Sequence, residues 1–147
     1  MMCVMNKKEQ YLILHNIRSA YNVGAIFRTA DAAGISKLYI SGYTPTPIDK
    51  FGRARKDIAK TALGAEKNIP WEYSKSVGWL IAKLKKEGVC IIALEQGECA
   101  IHYKKAPAKI KNKEKTALIL GNEVRGVSKQ ILEKCDIVAE IPMKGKK

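Results

Sequence analysis

The tightest constraint on this chain is a run of six apolar residues, Val89-Cys90-Ile91-Ile92-Ala93-Leu94. A strand with one wet face alternates apolar and polar side chains. A strand without that alternation is buried on both faces, the habit of parallel sheets covered by helices. Tyr11-Leu12-Ile13-Leu14-His15 and Thr116-Ala117-Leu118-Ile119-Leu120 have the same character, and Lys37-Leu38-Tyr39-Ile40, Trp71-Glu72-Tyr73 and Ile137-Val138-Ala139-Glu140-Ile141 read as further strands. Between them, apolar residues fall at helical spacing. Val23, Ile26, Phe27, Ala30 and Ala33 form one stripe, stopped by Gly34; Val77, Leu80, Ile81 and Leu84 form another, between a capping Ser76 and Gly88. A short helix is expected from Asp57 to Leu63 and another from Ser128 through Lys134. Strands alternating with helices predict an α/β fold, a mostly parallel sheet with flanking helices and right-handed crossovers. Thr44-Pro45-Thr46-Pro47 breaks regular structure and marks an exposed loop, and the stretch from Lys104 to Lys115 reads as a lysine-rich connection.

A length of 147 residues is most simply one domain, 1–147, with no separate substrate-binding domain. No apolar run approaches the roughly 20 residues that span a bilayer, and Met1 to Gln10 lack the apolar centre of a secretory signal. The expectation is a cytoplasmic chain with no membrane partner. Cys3, Cys90, Cys99 and Cys135 are widely spaced without a C-x-x-C pair, and His15 and His102 are the only histidines. No metal is therefore expected; Cys90 reads as a strand residue and the others as reduced thiols.

The formal net charge is +13. A field of that size draws polyanions, and nucleic acid is the commonest such partner. The cations cluster: Arg53, Arg55, Lys56 and Lys60; then Lys104, Lys105, Lys109, Lys111, Lys113 and Lys115; then Lys144, Lys146 and Lys147. Charge favours RNA or DNA contact without choosing between them.

The residues with chemical potential follow the strands. Asn22-Val23-Gly24-Ala25-Ile26-Phe27-Arg28 comes after the first, Leu120-Gly121-Asn122-Glu123-Val124-Arg125-Gly126-Val127-Ser128 closes a later one, and Ile141-Pro142-Met143-Lys144-Gly145 follows the last. Ligands of parallel α/β proteins collect at the carboxyl ends of strands. Neither glycine-rich stretch is a dinucleotide fingerprint or a phosphate loop, so a nucleotide-binding protein of those classes is disfavoured. Taken singly, Arg28 could be a solvated helical arginine, Asn22 a helix cap, and Glu123 a carboxylate at a helix start.

Jointly, these stretches resemble the motifs of the SpoU-type (TrmH-like) RNA ribose methyltransferases of the knotted SPOUT superfamily, over Tyr11 to Lys147. The resemblance implies an α/β knot and transfer of a methyl group from S-adenosyl-L-methionine to a ribose 2′-hydroxyl of tRNA or rRNA. It implies that Arg28 faces the reacting hydroxyl or its phosphate, that Asn22 organises the loop, and that Glu123 orders the second motif. The cofactor positions would be Leu94, Gly121, Ile141 and Met143. Arg53, Arg55, Lys56 and Arg125 are the candidates for RNA contact. A guanidinium titrates above about 12 and makes a poor base, so Arg28 is read as stabilising the developing alkoxide and a neighbouring phosphate. In the family a Ser-Leu-Asn segment and a knot-threading helix follow, and the helix builds much of a homodimer interface. Neither is in this sequence. The expectation is a C-terminally truncated enzyme, since Arg28 and Glu123 remain, with apolar surface bared on the sheet and the first helix. The alternative is a noncatalytic RNA-binding module on the same fold.

Overall fold

A computed structural model describes residues 7–146; Cys3 and Lys147, named above, lie outside them. All strand pairings are parallel. Seven strands lie in the order β3-β2-β1-β6-β4-β7-β5: β1 Glu9–His15, β2 Lys37–Ser41, β3 Trp71–Ser74, β4 Cys90–Leu94, β5 Ile101–His102, β6 Lys115–Leu120 and β7 Ile137–Glu140. The chain builds outward from β1 to β2 and β3. It then crosses to the other side and inserts β6 between β1 and β4.

Helices pack on both faces of the sheet, which is why the central stretches of β1, β4 and β6 are apolar. Helices α1 (Ala20–Ala33), α2 (Lys56–Ala62) and α3 (Ala65–Asn68) cover one face through Leu12, Leu14, Phe27, Leu38, Ile40 and Ile58. Helices α4 (Val77–Lys86) and α6 (Lys129–Leu132) cover the other through Ile13, Leu80, Ile81, Leu84, Ile91 and Ile119. Within β1, Leu12 and Leu14 point one way and Ile13 the other. Burying a side chain such as Phe27 contributes about 1.5–3 kcal/mol.

The local signals act as their chemistry requires. Ser19 caps α1, its hydroxyl accepting from Asn22 N at 3.2 Å, and Gly34 ends the helix with φ +74°. Ser76 caps α4 through Trp79 N. Cys90 is buried in β4. Two expectations need correction. The helix expected through Lys134 is only Lys129–Leu132, because Ser128 makes no side-chain cap and Glu133 to Asp136 turn down into β7. The connection between β4 and β6, read only as lysine-rich, carries β5, a 3-10 turn at Tyr103–Lys105 and a short helix α5 (Ala106–Lys109), whose Ala106 packs on Ile92 and Ala139. Its apolar positions, Ile101 and Ala106, are too few to show a period.

Gly24 lies where α1 crosses α2, and a Cβ there would collide with Thr61 Oγ1 and the Ile58 carbonyl. Thr61 Oγ1 also donates to Tyr21 O at 2.8 Å, locking the two helices together. Gly24→Ala is therefore expected to destabilise the fold by about 1–3 kcal/mol, the usual range for overpacking. Urea denaturation checks this, with a lowered midpoint and an unchanged slope as the expected result.

Candidate active site

Because β1 and β6 are neighbours in register, with Leu14 opposite Leu120, the loops that leave their carboxyl ends emerge side by side. The first motif is carried on the opening turns of α1, the second on the loop 121–128. A single carboxylate joins them. Glu123 accepts hydrogen bonds from Arg18 N at 2.9 Å, Ser19 N at 3.2 Å and Asn22 Nδ2 at 3.0 Å. Partial burial works to raise its pKa, but the bonds from Arg18, Asn22, its own backbone and Ser19 outweigh that and hold it at about 2.

Asn122 supports the same junction from beneath. It is buried, and its amide nitrogen donates to Asn16 O and to the Tyr43 hydroxyl, each at 2.9 Å. Its amide oxygen accepts from Val124 N and Arg125 N, so the side chain folds the second-motif loop over itself. His15 sits below, its Nε2 facing Asn16 Nδ2 at 3.2 Å and its Nδ1 facing Ser41 Oγ at 2.9 Å. Burial lowers its pKa, favouring the neutral ring. On the next strand, Glu95 follows Leu94 and accepts from Val127 N at 2.8 Å. Gly126 has φ +65°, and a Cβ there would strike that carboxylate.

Asn22 and Glu123 are thus in contact. Arg28 is elsewhere on α1. It is exposed, about 9 Å further along the axis by helical rise, and lines a cavity of about 590 Å³ with Lys60, Thr61 and Leu63. Leu94, Gly121, Ile141 and Met143 stand at the carboxyl ends of three adjacent strands, β4, β6 and β7. Ile141 and Met143 are 50% and 57% exposed, large apolar side chains left open. Arg125 flanks the second-motif loop, lining a cavity of about 440 Å³ with Arg18, Tyr43, Asn122 and Val124.

The Arg53 group is less free than its charge suggested. Arg53 pairs with Asp49 at 3.0 Å and Arg55 with Asp57 at 2.7 Å, leaving Lys56 exposed and without an ion pair among the described residues. The apolar surface expected on the sheet and first helix is present as a groove of about 550 Å³, lined by Leu12, Ile26, Ala33, Leu118 and Leu120 and opening onto Gly121.

Residues 9–147 match the model of the SpoU rRNA Methylase family. The chain belongs to that family. It is 30% identical over 135 residues to the 23S rRNA (guanosine-2′-O-)-methyltransferase RlmB of Neisseria meningitidis serogroup B, covering 91% of this chain and 49% of that protein. Among solved structures it resembles the AdoMet-bound rRNA methyltransferase from Sinorhizobium meliloti, with TM-score 0.81 and 26% identity over 95% of this chain and 49% of that one. It also resembles the A. aeolicus TrmH/SpoU tRNA modifying enzyme, with TM-score 0.78 and 26% identity over 95% of this chain and 66% of that one. The chain spans about half the length of the curated relatives it matches.

Sequence reasoning gave no role to Asn122, Glu95, Arg18 or Tyr43. Asn122 lay inside a quoted motif, and Glu95 was marked by being a charge placed directly after a fully apolar strand. Tyr43 and Arg18 carried no signal of their own. For Glu123 a pH dependence follows. Its depressed pKa contributes stability in full above its ordinary value near 4.5, and that contribution is lost as pH falls toward about 2. Glu123→Gln is expected to lower the thermal midpoint at pH 7 and to leave a shallower loss of stability between pH 4.5 and 2; melting curves over that range check it.

Proposed function

We propose that this chain carries the catalytic domain of an S-adenosyl-L-methionine-dependent methyltransferase acting on the ribose 2′-hydroxyl of tRNA or rRNA. The observation that carries this reading is the Glu123–Asn22 contact, which ties together the two motif loops of a SpoU family member at the carboxyl ends of adjacent parallel strands. The names of its relatives support the substrate class and the cofactor. A cytoplasmic location and a homodimer of the longer family form, with a knotted C-terminus, belong to the same reading. Among the described residues, no helix is long and apolar enough to cross a membrane.

When bound, S-adenosyl-L-methionine supplies a methyl group on a sulfonium, already activated for transfer. The protein's task is then alignment of the ribose oxygen and relief of the charge it develops. Leu94, Gly121, Ile141 and Met143 are the residues that would hold the cofactor. Asn22 and Glu123 act on the backbone, fixing the entry of α1 so that the helix is presented at one angle. Arg28 projects from that helix beside Lys60, where a planar guanidinium meets the phosphate next to the reacting hydroxyl and stabilises the alkoxide. The proton leaves to solvent or RNA, since a guanidinium does not accept it at neutral pH.

The test is incubation with methyl-labelled S-adenosyl-L-methionine and bulk tRNA or rRNA, followed by digestion to nucleosides. Label in 2′-O-methylribose is the expected result; RNA binding without label supports the noncatalytic module instead. Arg28→Lys keeps the charge and loses the fork, and is expected to reduce transfer on the order of 10–100-fold. Full activity in that variant would overturn the bidentate role.

A further inference from the structure

One exposed aromatic in this molecule is built into place with unusual care. Tyr43 is 59% exposed, yet the turn that carries it is fixed on every side. On one side Gly42 holds φ +65° and could carry no Cβ without striking the Asn16 side chain; its carbonyl also accepts from the Tyr73 hydroxyl at 3.0 Å. On the other, Thr44 is buried, its hydroxyl donating to Ser41 O at 2.8 Å and accepting from Ile17 N at 3.0 Å. Tyr43 N donates to Asn16 Oδ1 at 3.2 Å, and its hydroxyl accepts from Asn122 Nδ2 at 2.9 Å. Asn122 is itself 93% buried by its 7% exposure and anchored to Asn16 O, so the ring is tethered to the core at its far end.

The ring is held, and its surroundings are open. Among the described residues no other aromatic ring and no cation rests on Tyr43, although four other aromatics, Tyr21, Tyr39, Phe51 and Trp79, each carry a lysine or arginine within the cation–π range. Tyr43 lines the cavity of about 440 Å³ together with Arg18 and Arg125. Neither guanidinium forms an ion pair among the described residues. The Arg18 backbone is bound by Glu123, which places this cavity against the motif junction.

A rigid exposed aromatic sharing a cavity with two unpaired arginines matches the chemistry of an unstacked nucleotide: a π-face for the base and planar cations for nearby phosphates. We infer that Tyr43, Arg18 and Arg125 form a nucleotide-binding site in which one splayed-out RNA base stacks on Tyr43. The inference rests on the RNA methyltransferase reading for its choice of RNA. A base pulled from its stack needs a substitute surface, and a ring ordered before binding loses little further entropy in providing one. The hydroxyl has a separate task, since Asn122 already uses it to set the ring's position.

These two parts of the side chain can be separated. The probe is a pentaribonucleotide with 2-aminopurine at its centre, whose fluorescence is quenched on stacking, titrated with the full chain. The expected result is quenching by the wild type, its loss in Tyr43→Ala with affinity weakened roughly tenfold or more, and its retention in Tyr43→Phe. Quenching and affinity preserved in Tyr43→Ala would overturn the site. So would no quenching by the wild type, or a Tyr43→Phe variant as impaired as Tyr43→Ala, which would assign the effect to the Asn122 hydrogen bond. Circular dichroism melts confirm that each variant is folded. Labelled-methyl transfer by the wild type is measured in parallel: quenching without transfer leaves the nucleotide site standing and removes the enzymatic reading, whereas transfer without quenching does the reverse.

Discussion

The site depends on the parallel pairing of β1 with β6. These strands are separated by most of the chain, yet they lie side by side with Leu12 opposite Leu118 and Leu14 opposite Leu120. Parallel neighbours end on the same side of the sheet, so the loops that follow them leave from one edge. This is the switch point of the topology, where the chain has built outward from β1 and then returned on the other side. Without that insertion of β6, Glu123 and Asn22 would be on unrelated parts of the surface. The apolar runs that make this pairing possible are therefore as much a part of the site as the polar residues above them.

At that edge the unsatisfied groups are backbone N–H donors, and the chain meets them with carboxylates and amides. Glu123 takes those of Arg18 and Ser19, Glu95 takes that of Val127, and Asn122 takes those of Val124 and Arg125. A charged acceptor makes a stronger bond than a neutral one, and the low pKa of Glu123 records how completely its charge is used. The acids at the active edge are thus structural. They tie the loops together through backbone N–H groups.

The pattern of apolar runs and helical stripes predicted the architecture because each strand is long enough, and buried enough, to show its period. The elements that escaped were short. Residues 101–109 form β5 and α5 with few apolar positions, and α6 stops after Leu132 because its cap is unmade and tertiary packing turns the chain toward β7. The motif residues were visible as a set, and the structure adds a contact the sequence did not foretell, Asn22 Nδ2 donating to Glu123. The supporting residues were not. Asn16, Tyr43 and Glu95 act through contacts made only when distant loops converge, and no local spacing encodes that.

Basic charge illustrates the same gap between composition and geometry. The Arg53 group drew notice as a dense cluster, but Asp49 and Asp57 engage Arg53 and Arg55, so part of that charge holds its own loop together. Arg18, Arg28 and Arg125 were scattered along the sequence, yet with Lys60 from that cluster they lie on α1, on α2 or on the loops beside them, and none of the four forms an ion pair among the described residues. A cation already paired must break that pair before it meets a phosphate, whereas an unpaired one gives up only water. Among the described residues the cations free of ion pairs accordingly gather around the first helix and the second-motif loop, where charge is less dense but more available.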